Sequence, residues 1–379
     1  MSGALAGVKI IELVGLGPAP FAAMMLADHG ADVLRIHPKT ARASVATMNT
    51  PADVLARSRP SIALDLKSPK GCEALLELVA GADGFIEGFR PGVAERLGVG
   101  PDICLARNPA LAYGRMTGWG QHGPLASSAG HDINYIALTG VLAAIGPAER
   151  PIPPLNLLGD FGGGGMVLAF GMLAAILSAR RTGHGQVIDA AMTDGTSILA
   201  AMTHGFRAGG VWPAAREGNF LDGGAFYYGT YACADGGFVA VGSIEPQFLA
   251  TLLAGLGLNP ADFEPQDDPS HWPNQRAKVA AAFATKPRDY WAALFENEDA
   301  CVTPVLNWDE AQCHPHNVAR EMFVTVGDVP QPAPAPRFSA TPAAKPQAPT
   351  PPDGDAAAAL RKWGLQTDKI ARLQAAGAL

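Results

Sequence analysis

The 379-residue chain reads as an α/β protein: a Rossmann-like large domain on a parallel sheet, joined to a smaller α+β domain. Three observations predict this. Over residues 1–120, short β-rich runs alternate with helical patterns, as strand–helix–strand crossovers in a parallel sheet require. Three apolar helices follow. Near Leu221 the texture turns Gly- and Tyr-rich, which suits antiparallel hairpins.

Taken in order, residues 8–13 are the first predicted strand and Gly15-Leu16-Gly17-Pro18-Ala19-Pro20 a tight loop. Residues 21–29 form a helix that Gly30 closes, and residues 31–36 and 61–66 form the next two strands. Ser68-Pro69 marks a helix start, with Ser at the cap and Pro at the first helical position; this helix runs to about Ala80. Residues 84–89 and 111–116 complete the strand series. The apolar helices are expected around 132–145, 165–181 and 193–207. In the small domain, strands at 226–232 and 237–241 flank the turn Ala234-Asp235-Gly236, and helices follow at 246–256, 272–285 and 287–296. Nine prolines in residues 330–352 predict an extended arm with little helix or sheet. Residues 353–379 read as two short helices parted near Gly364.

Composition narrows the function classes. Hydrophobic residues are 48% and charged residues 17%, which excludes a disordered chain. With 28 Lys+Arg against 35 Asp+Glu, the net charge is −7, so no basic face is expected for nucleic acid. An anionic ligand would need a local basic cluster, and residues 1–120 are close to neutral while the acidic excess lies downstream. Cys72, Cys104, Cys233, Cys301 and Cys313 are scattered and form no CxxC, which predicts a reducing compartment without disulfides or zinc. The most apolar stretch, residues 166–179, stops at Arg180-Arg181. It is short for a membrane span and predicts a core helix in a cytoplasmic protein.

Each chemical motif has a plainer reading beside it. Gly15-Leu16-Gly17 between strand and helix resembles the start of a dinucleotide fingerprint. Pro20 replaces its third glycine, however, and His37 stands where an acidic ribose ligand belongs, so nicotinamide is disfavoured. The loop can still present amides to another anion. Gly162-Gly163-Gly164-Gly165 lacks the Gly-Lys-[Ser/Thr] of a phosphate loop, which disfavours ATP. Asp160, in Asn156-Leu157-Leu158-Gly159-Asp160-Phe161, lies at a helix start whose N–H groups favour the ionised carboxylate; an ordinary cap is the alternative. His131 in Gly130-His131-Asp132-Ile133-Asn134-Tyr135 stands at the entry of another apolar helix, where an imidazole can move protons near neutral pH. His122, in the glycine-punctuated loop after Met116, reads as conformational. Cys313-His314-Pro315-His316 lacks further ligands at metal-site spacing and reads as a turn. Glu245, just past a strand and before a helix, reads alone as a helix N-terminal residue. Together His131, Asp160 and Glu245 suggest an enzyme of proton transfer or acyl chemistry; spacing leaves open whether they meet.

The chain resembles the family III CoA-transferases. The carrying segments include Gly30-Ala31-Asp32-Val33-Leu34-Arg35-Ile36, Ser61-Ile62-Ala63-Leu64-Asp65-Leu66-Lys67 and Phe89-Arg90-Pro91-Gly92. They continue through Arg115-Met116-Thr117-Gly118-Trp119-Gly120, the Gly130–Tyr135 and Leu155–Gly163 motifs, and Val241-Gly242-Ser243-Ile244-Glu245-Pro246. They are collinear and cover most of the chain. Within the family it is most similar to the racemase branch, which acts on 2-methylacyl-CoA thioesters.

That resemblance implies the following. His131, paired with Glu245, and Asp160 serve as two bases on opposite faces of the α-carbon, with Asp132 and Tyr228 in support. Arg90, then Arg57 and Arg59, meet the phosphates of CoA, and Lys39 replaces the usual contact where His37-Pro38-Lys39 departs from the pattern. Phe226 and Gly229 also depart from it. The thioester is the substrate and no separate cofactor is implied. The family fold implies a ring-threaded, interlocked homodimer. Its large CoA-binding domain would comprise residues 1–200 with 320–379, followed by a linker at 201–220 and a small domain at 221–319. The metabolic setting would be lipid breakdown, including branched fatty acids and sterol side chains. The alternative within the family is a CoA-transferase with Asp160 as nucleophile; the Gly-His-Asp motif and Glu245 favour the racemase.

Overall fold

The computed structural model describes residues 3–39, 48, 50–213, 216–352 and 354–379. The chain forms two compact units, the first from Met1–Thr139, Leu155–Leu199 and His316–Leu379, the second from Gly140–Pro154 and Ala200–Pro315.

In the first unit the order is β1 (Lys9–Leu13), α1 (Pro18–Asp28), β2 (Asp32–Pro38), β3 (Ser61–Leu64), α2 (Pro69–Ala80), β4 (Gly84–Glu87), α3 (Val93–Arg96), α4 (Pro101–Arg107), β5 (Ala112–Thr117), α5 (Asp132–Leu138), α6 (Val167–Thr182), β6 (Gln186–Ala191) and α7 (Met192–Leu199). The strands pair in the order β3-β2-β1-β4-β5-β6, all in parallel. Strand order therefore reverses between β1 and β4, the place where open α/β sheets carry their ligand crevice.

Both faces of the sheet are covered, so its strands are apolar on both sides. In β1, Ile11 and Leu13 face one core with Phe85 and Tyr113, while Ile10 faces the other with Ile86 and Met116. Helices α1 and α6 cover the second face through Ala22, Leu26, Leu168 and Met172. The C-terminal residues Leu360, Trp363, Ile370 and Leu373 fill the first. Burying one such side chain contributes roughly 1.5–3 kcal/mol, so the C-terminal helices are integral to the sheet layer.

Differences from the sequence reading have local causes. Helix α1 begins at Pro18, three residues before the expected start, because prolines in a first turn give up N–H groups that have no helical partner there. The expected helix over 132–145 stops at Leu138, and Gly140 follows with φ 82°. The expected helix over 193–207 divides at Ala200. Strand β6 was not foreseen: it is an edge strand whose Gln186 and Val187 are exposed, so it shows little buried periodicity. The apolar stretch at 166–179 belongs to a longer helical run, Leu157–Thr182, 26 residues in length. By length and composition that run could cross a membrane, but here Leu168, Met172 and Ile176 are packed in the core against the sheet.

The run opens as a π-helical segment, Leu157–Met166, and its glycines serve packing. A Cβ on Gly163 would lie 2.6 Å from the Thr196 nitrogen, and one on Gly195 would lie 1.8 Å from the Gly163 carbonyl. Backbones of this segment and α7 meet where only glycine fits.

In the second unit, α8 (Ala201–Ala208) precedes β7 (Tyr228–Ala232), β8 (Phe238–Gly242), α9 (Pro246–Leu256), α10 (Trp272–Phe283), α11 (Arg288–Phe295), β9 (Val302–Pro304) and α12 (Trp308–Cys313). The three strands form an antiparallel sheet over an aromatic core that includes Phe226, Tyr231, Phe283 and Trp291. The chain then enters α13 (Pro315–Ala319) and a hairpin of β10 (Phe323–Val326) with β11 (Val329–Pro332), and ends in α14 (Ala356–Lys362) and α15 (Thr367–Ala375). The proline-rich arm is fastened to the first unit by the Gln347 N–H bond to Ser58 Oγ at 3.0 Å and by the edge contact of Phe338 with His29.

A charged network is buried inside the first unit. Arg59 donates to Glu12 at 2.5 Å and Arg35 lies 3.5 Å from the same oxygen, with all three residues at most 2% exposed. Burial lowers Arg59 to about 10 and raises Glu12, and the charge of each partner opposes the shift of the other. Removing Glu12 strands two buried guanidiniums. Glu12→Gln should destabilise the protein by about 3–5 kcal/mol and Arg59→Met, which leaves Arg35 on Glu12, by less, with the double variant losing less than the sum of the two. Urea unfolding midpoints check both, and an additive double variant would contradict the coupling.

Candidate active site

Loops at the C-terminal ends of β1, β4 and β5 converge on one pocket. Gly17 and Pro18 come from the first, Phe89 and Arg90 from the second, and Thr117–Trp119 from the third. His131, Tyr135 and Asp160 complete the wall. This is the crevice beside the strand-order reversal, and it gathers the two candidate bases of the first unit with one cation.

Asp160 sits in the first turn of the π-helical segment, half-buried. Its backbone N–H donates to Asp132 Oδ2 at 2.8 Å, and Asn156 Nδ2 donates to its own Oδ2 at 2.9 Å. Residue 159 must be glycine for the first bond to form: a Cβ there would lie 2.4 Å from Asp132 Oδ2. Gly17 backs onto the same carboxylate, since a Cβ on it would come within 3.2 Å of Asp160 Oδ2. The Gly15-Leu16-Gly17 loop therefore makes room for a carboxylate.

Electrostatics favour a protonated Asp160 more than an isolated aspartate. Burial raises its affinity for a proton most, and the negative Asp132 adds to it; the Asn156 amide and His131 oppose both. A carboxyl group tuned upward can give a proton as well as take one. Asp132 is 6% exposed, and its Oδ1 has no hydrogen-bond partner among the described residues. Its role in the geometry is to tie the start of α5 to the start of the π-helical segment.

His131 is the residue before α5 and is exposed on the pocket wall. Asn134 Oδ1 accepts its backbone N–H at 3.0 Å, which fixes the entry of the chain into α5. Tyr135 secures the adjoining loop. Its hydroxyl donates to the Gly130 carbonyl, and its ring meets Trp119 edge-on with centroids 4.8 Å apart. Sequence reasoning assigned no role to Asn134 or Asn156. Their positions three residues after His131 and four before Asp160 are the helical spacings that would have pointed to them.

Glu245 and Tyr228 belong to the second unit, at the N-cap of α9 and at the start of β7. Glu245 is exposed there. Cys313, His314 and His316 lie around α12 and α13, and no group of three metal-ligating side chains is present among the described residues.

The cations divide sharply. Arg90 is exposed on the pocket wall and makes no ion pair among the described residues. Arg57 and Arg59, expected on CoA phosphates, are 2% and 1% exposed. Arg57 pairs with Asp28 and donates to Gln331 Oε1 at 3.0 Å and the Pro332 carbonyl at 2.7 Å. Arg59 pairs with Glu12 and donates to the Pro20 carbonyl at 3.2 Å. Both assignments are corrected: these arginines hold β1, α1 and the β10–β11 hairpin to the segment before β3. Lys39, expected in place of the usual CoA contact, is exposed, and its ammonium donates to the Gly377 and Leu379 carbonyls. His37, which stands in the place of an acidic ribose ligand, is 5% exposed, and burial with Arg35 nearby lowers it to about 4. It is a neutral side chain beneath the strand ends.

Comparison with known proteins agrees with this architecture. The family model for CoA-transferase family III matches residues 5–356. An alpha-methylacyl-CoA racemase of Mus musculus is 45% identical over 97% of this chain and 96% of its own length. One of Homo sapiens is 46% identical over 90% of this chain and 88% of its own. The crystal structure of a CaiB/BaiF family protein from Brucella suis superposes with a TM-score of 0.79 at 25% identity, covering 94% of this chain and 99% of that one. A parallel six-stranded sheet, a match along nearly the whole length and this degree of identity lead to one assignment: the chain belongs to CoA-transferase family III.

Proposed function

We propose that this protein is a racemase that inverts the α-carbon of 2-methylacyl-CoA thioesters. The observation that carries the proposal is the placing of two Brønsted groups, His131 and Asp160, in the lining of one pocket with an arginine, Arg90, that has no ion pair among the described residues. The two mammalian relatives named as racemases support it over the transferase alternative. In that alternative Asp160 would act as a nucleophile, which requires an ionised carboxylate. The racemase also uses an ionised Asp160 in one direction, and it gives His131, in the same pocket lining, a task that the transferase leaves unfilled.

The mechanism follows from the chemistry of the thioester. Its α-C–H is a weak acid, so the pocket must hold a base near it and stabilise the enolate oxygen. In one direction neutral His131 takes the α-proton, and the C–H electron pair becomes the enolate C=C while charge moves to the thioester oxygen. Protonated Asp160 then gives its proton to the opposite face of the same carbon. The reverse direction exchanges the roles. Glu245 is assigned to orient the imidazole and stabilise its charged form, as in triad logic, with Tyr228 beside it. Arg90 is assigned to the CoA phosphates. The CoA thioester is the substrate, and the reaction needs no further cofactor.

The proposal includes the interlocked homodimer of the family. In the first unit Phe170 and Leu177 on α6 are 75% and 71% exposed, and Ile198 on α7 is 68% exposed. Apolar side chains so exposed along neighbouring helices suit a surface covered by a second copy. A cytoplasmic setting suits the five unpaired cysteines.

One enantiomer of a 2-methylacyl-CoA incubated with the protein in D₂O should epimerise and gain deuterium at the α-carbon, read by chiral separation and mass spectrometry. No exchange, with CoA passing to an added free acid, would establish the transferase. Asp132→Asn removes a negative neighbour and so lowers the pKa of Asp160. In the direction where Asp160 is the base, the acidic limb of the kcat profile should move to lower pH, by less than about one unit. An unmoved limb would separate Asp132 from the tuning. Glu245→Ala should reduce kcat by about 10²-fold or more; full activity in steady-state assays would remove it from the pairing with His131.

A further inference from the structure

We infer that Arg115 is a positioning residue for substrate binding, stapling both flanks of the loop that carries Arg90. Strand β4 ends at Glu87, and residues 88–91 then form part of the pocket wall. Gly92, with φ 82°, turns the chain into α3, and the Arg90 carbonyl accepts the Val93 N–H at 3.1 Å. Arg115 lies on β5 directly opposite Glu87 in the parallel register. Its Nε donates to Glu87 Oε1 at 3.0 Å, and its Nη1 lies 2.9 Å from Glu95 Oε1 on α3. The other oxygen of Glu87, Oε2, accepts the Phe89 N–H at 2.6 Å.

One guanidinium thus fixes the loop from two sides. Through Glu87 it holds the residue before Arg90, and through Glu95 it holds the helix after it. Glu87 is fully buried and Arg115 is 7% exposed. A buried ion pair adds little net stability over apolar packing of the same volume, whereas it does fix geometry. Here the geometry it fixes belongs to an exposed arginine with no ion pair of its own among the described residues. A planar fork that reaches two carboxylates in different directions cannot be replaced by an ammonium. A misplaced Arg90 would weaken the grip on the anionic end of the substrate and leave proton transfer at His131 and Asp160 in place. The inference rests on the reading of Arg90 as the phosphate contact.

The test compares two substrates with the same acyl group: the full 2-methylacyl-CoA, and its N-acetylcysteamine thioester, which lacks the phosphates. Arg115→Lys and Glu95→Ala should each raise KM for the CoA thioester about five- to tenfold with kcat within about twofold. KM for the truncated thioester should not change. Glu95 has a side chain 45% exposed, so Glu95→Ala remains a readable variant should Arg115→Lys fail to fold. In an Arg90→Ala background, either change should add nothing further. An unchanged KM in both variants, an equal rise with the truncated thioester, or an undiminished rise without Arg90 would overturn the inference and leave the role of Arg90 standing. A normal KM in Arg90→Ala alone would overturn that role, and this inference with it.

Discussion

The strand-order reversal between β1 and β4 is the constraint on which the site depends. Parallel strands joined by right-handed crossovers must send their helices to opposite faces on either side of the reversal. The loops after β1 and β4 then diverge and leave an open crevice at the strand ends. Gly17 and Arg90 are where they are for that reason. The remaining wall comes from α5 and the π-helical segment, and a single hydrogen bond, Asp160 N–H to Asp132 Oδ2, ties the two together. It forms only because residue 159 has no side chain. Topology opens the crevice, and one close approach sets the two candidate bases within it.

The carboxylates of the first unit differ in the partners that their environment gives them. Glu12 and Glu87 are buried, and burial raises both, yet each faces arginine and is held in an ion pair. Asp160 is less buried and has a neutral amide as its hydrogen-bonding partner, with a second carboxylate as neighbour. A full cation within hydrogen-bond reach would have pinned its charge and removed it from proton traffic. Beside Asn156 and Asp132 it lacks that pin, and burial together with Asp132 shifts it toward the protonated form. Asp132 thus acts twice, as an acceptor that positions Asp160 and as a charge that tunes it.

What could be read from the sequence were the features set by local rules. The Ser68-Pro69 start of α2, the alternation of strands and helices, the proline-rich arm and the parting of α14 from α15 near Gly364 all follow from caps, periodicity and ring geometry. The positions of His131 and Asp160 at helix starts were also legible, because each stands inside a glycine-marked motif. What escaped depends on partners distant in the chain. Arg57 and Arg59 look like free cations until Asp28, Gln331 and Glu12 are seen around them. The run Gly162–Gly165 lacks the residues of a phosphate loop, but its packing role shows only when α7 is seen against its backbone. Strand β6 escaped for the opposite reason: on the sheet edge, its exposed residues carry too little pattern to register.

The corrected arginines change the meaning of the charge distribution. Near-neutrality in residues 1–120 does not signal a basic field waiting for phosphate, because most of the relevant guanidiniums are already engaged: Arg35 and Arg59 by Glu12, Arg57 by Asp28, Arg115 by Glu87 and Glu95. Their charges cancel locally and contribute little at the pocket mouth, where ionic screening acts over about 8–10 Å. An anionic ligand is then selected by where an unpaired cation stands. Arg90 is such a cation on the pocket wall, and its placement is specified by a buried pair one strand away. The paired arginines therefore serve binding indirectly: by being neutralised they hold the scaffold, and by holding it they leave Arg90 accurately placed for a ligand.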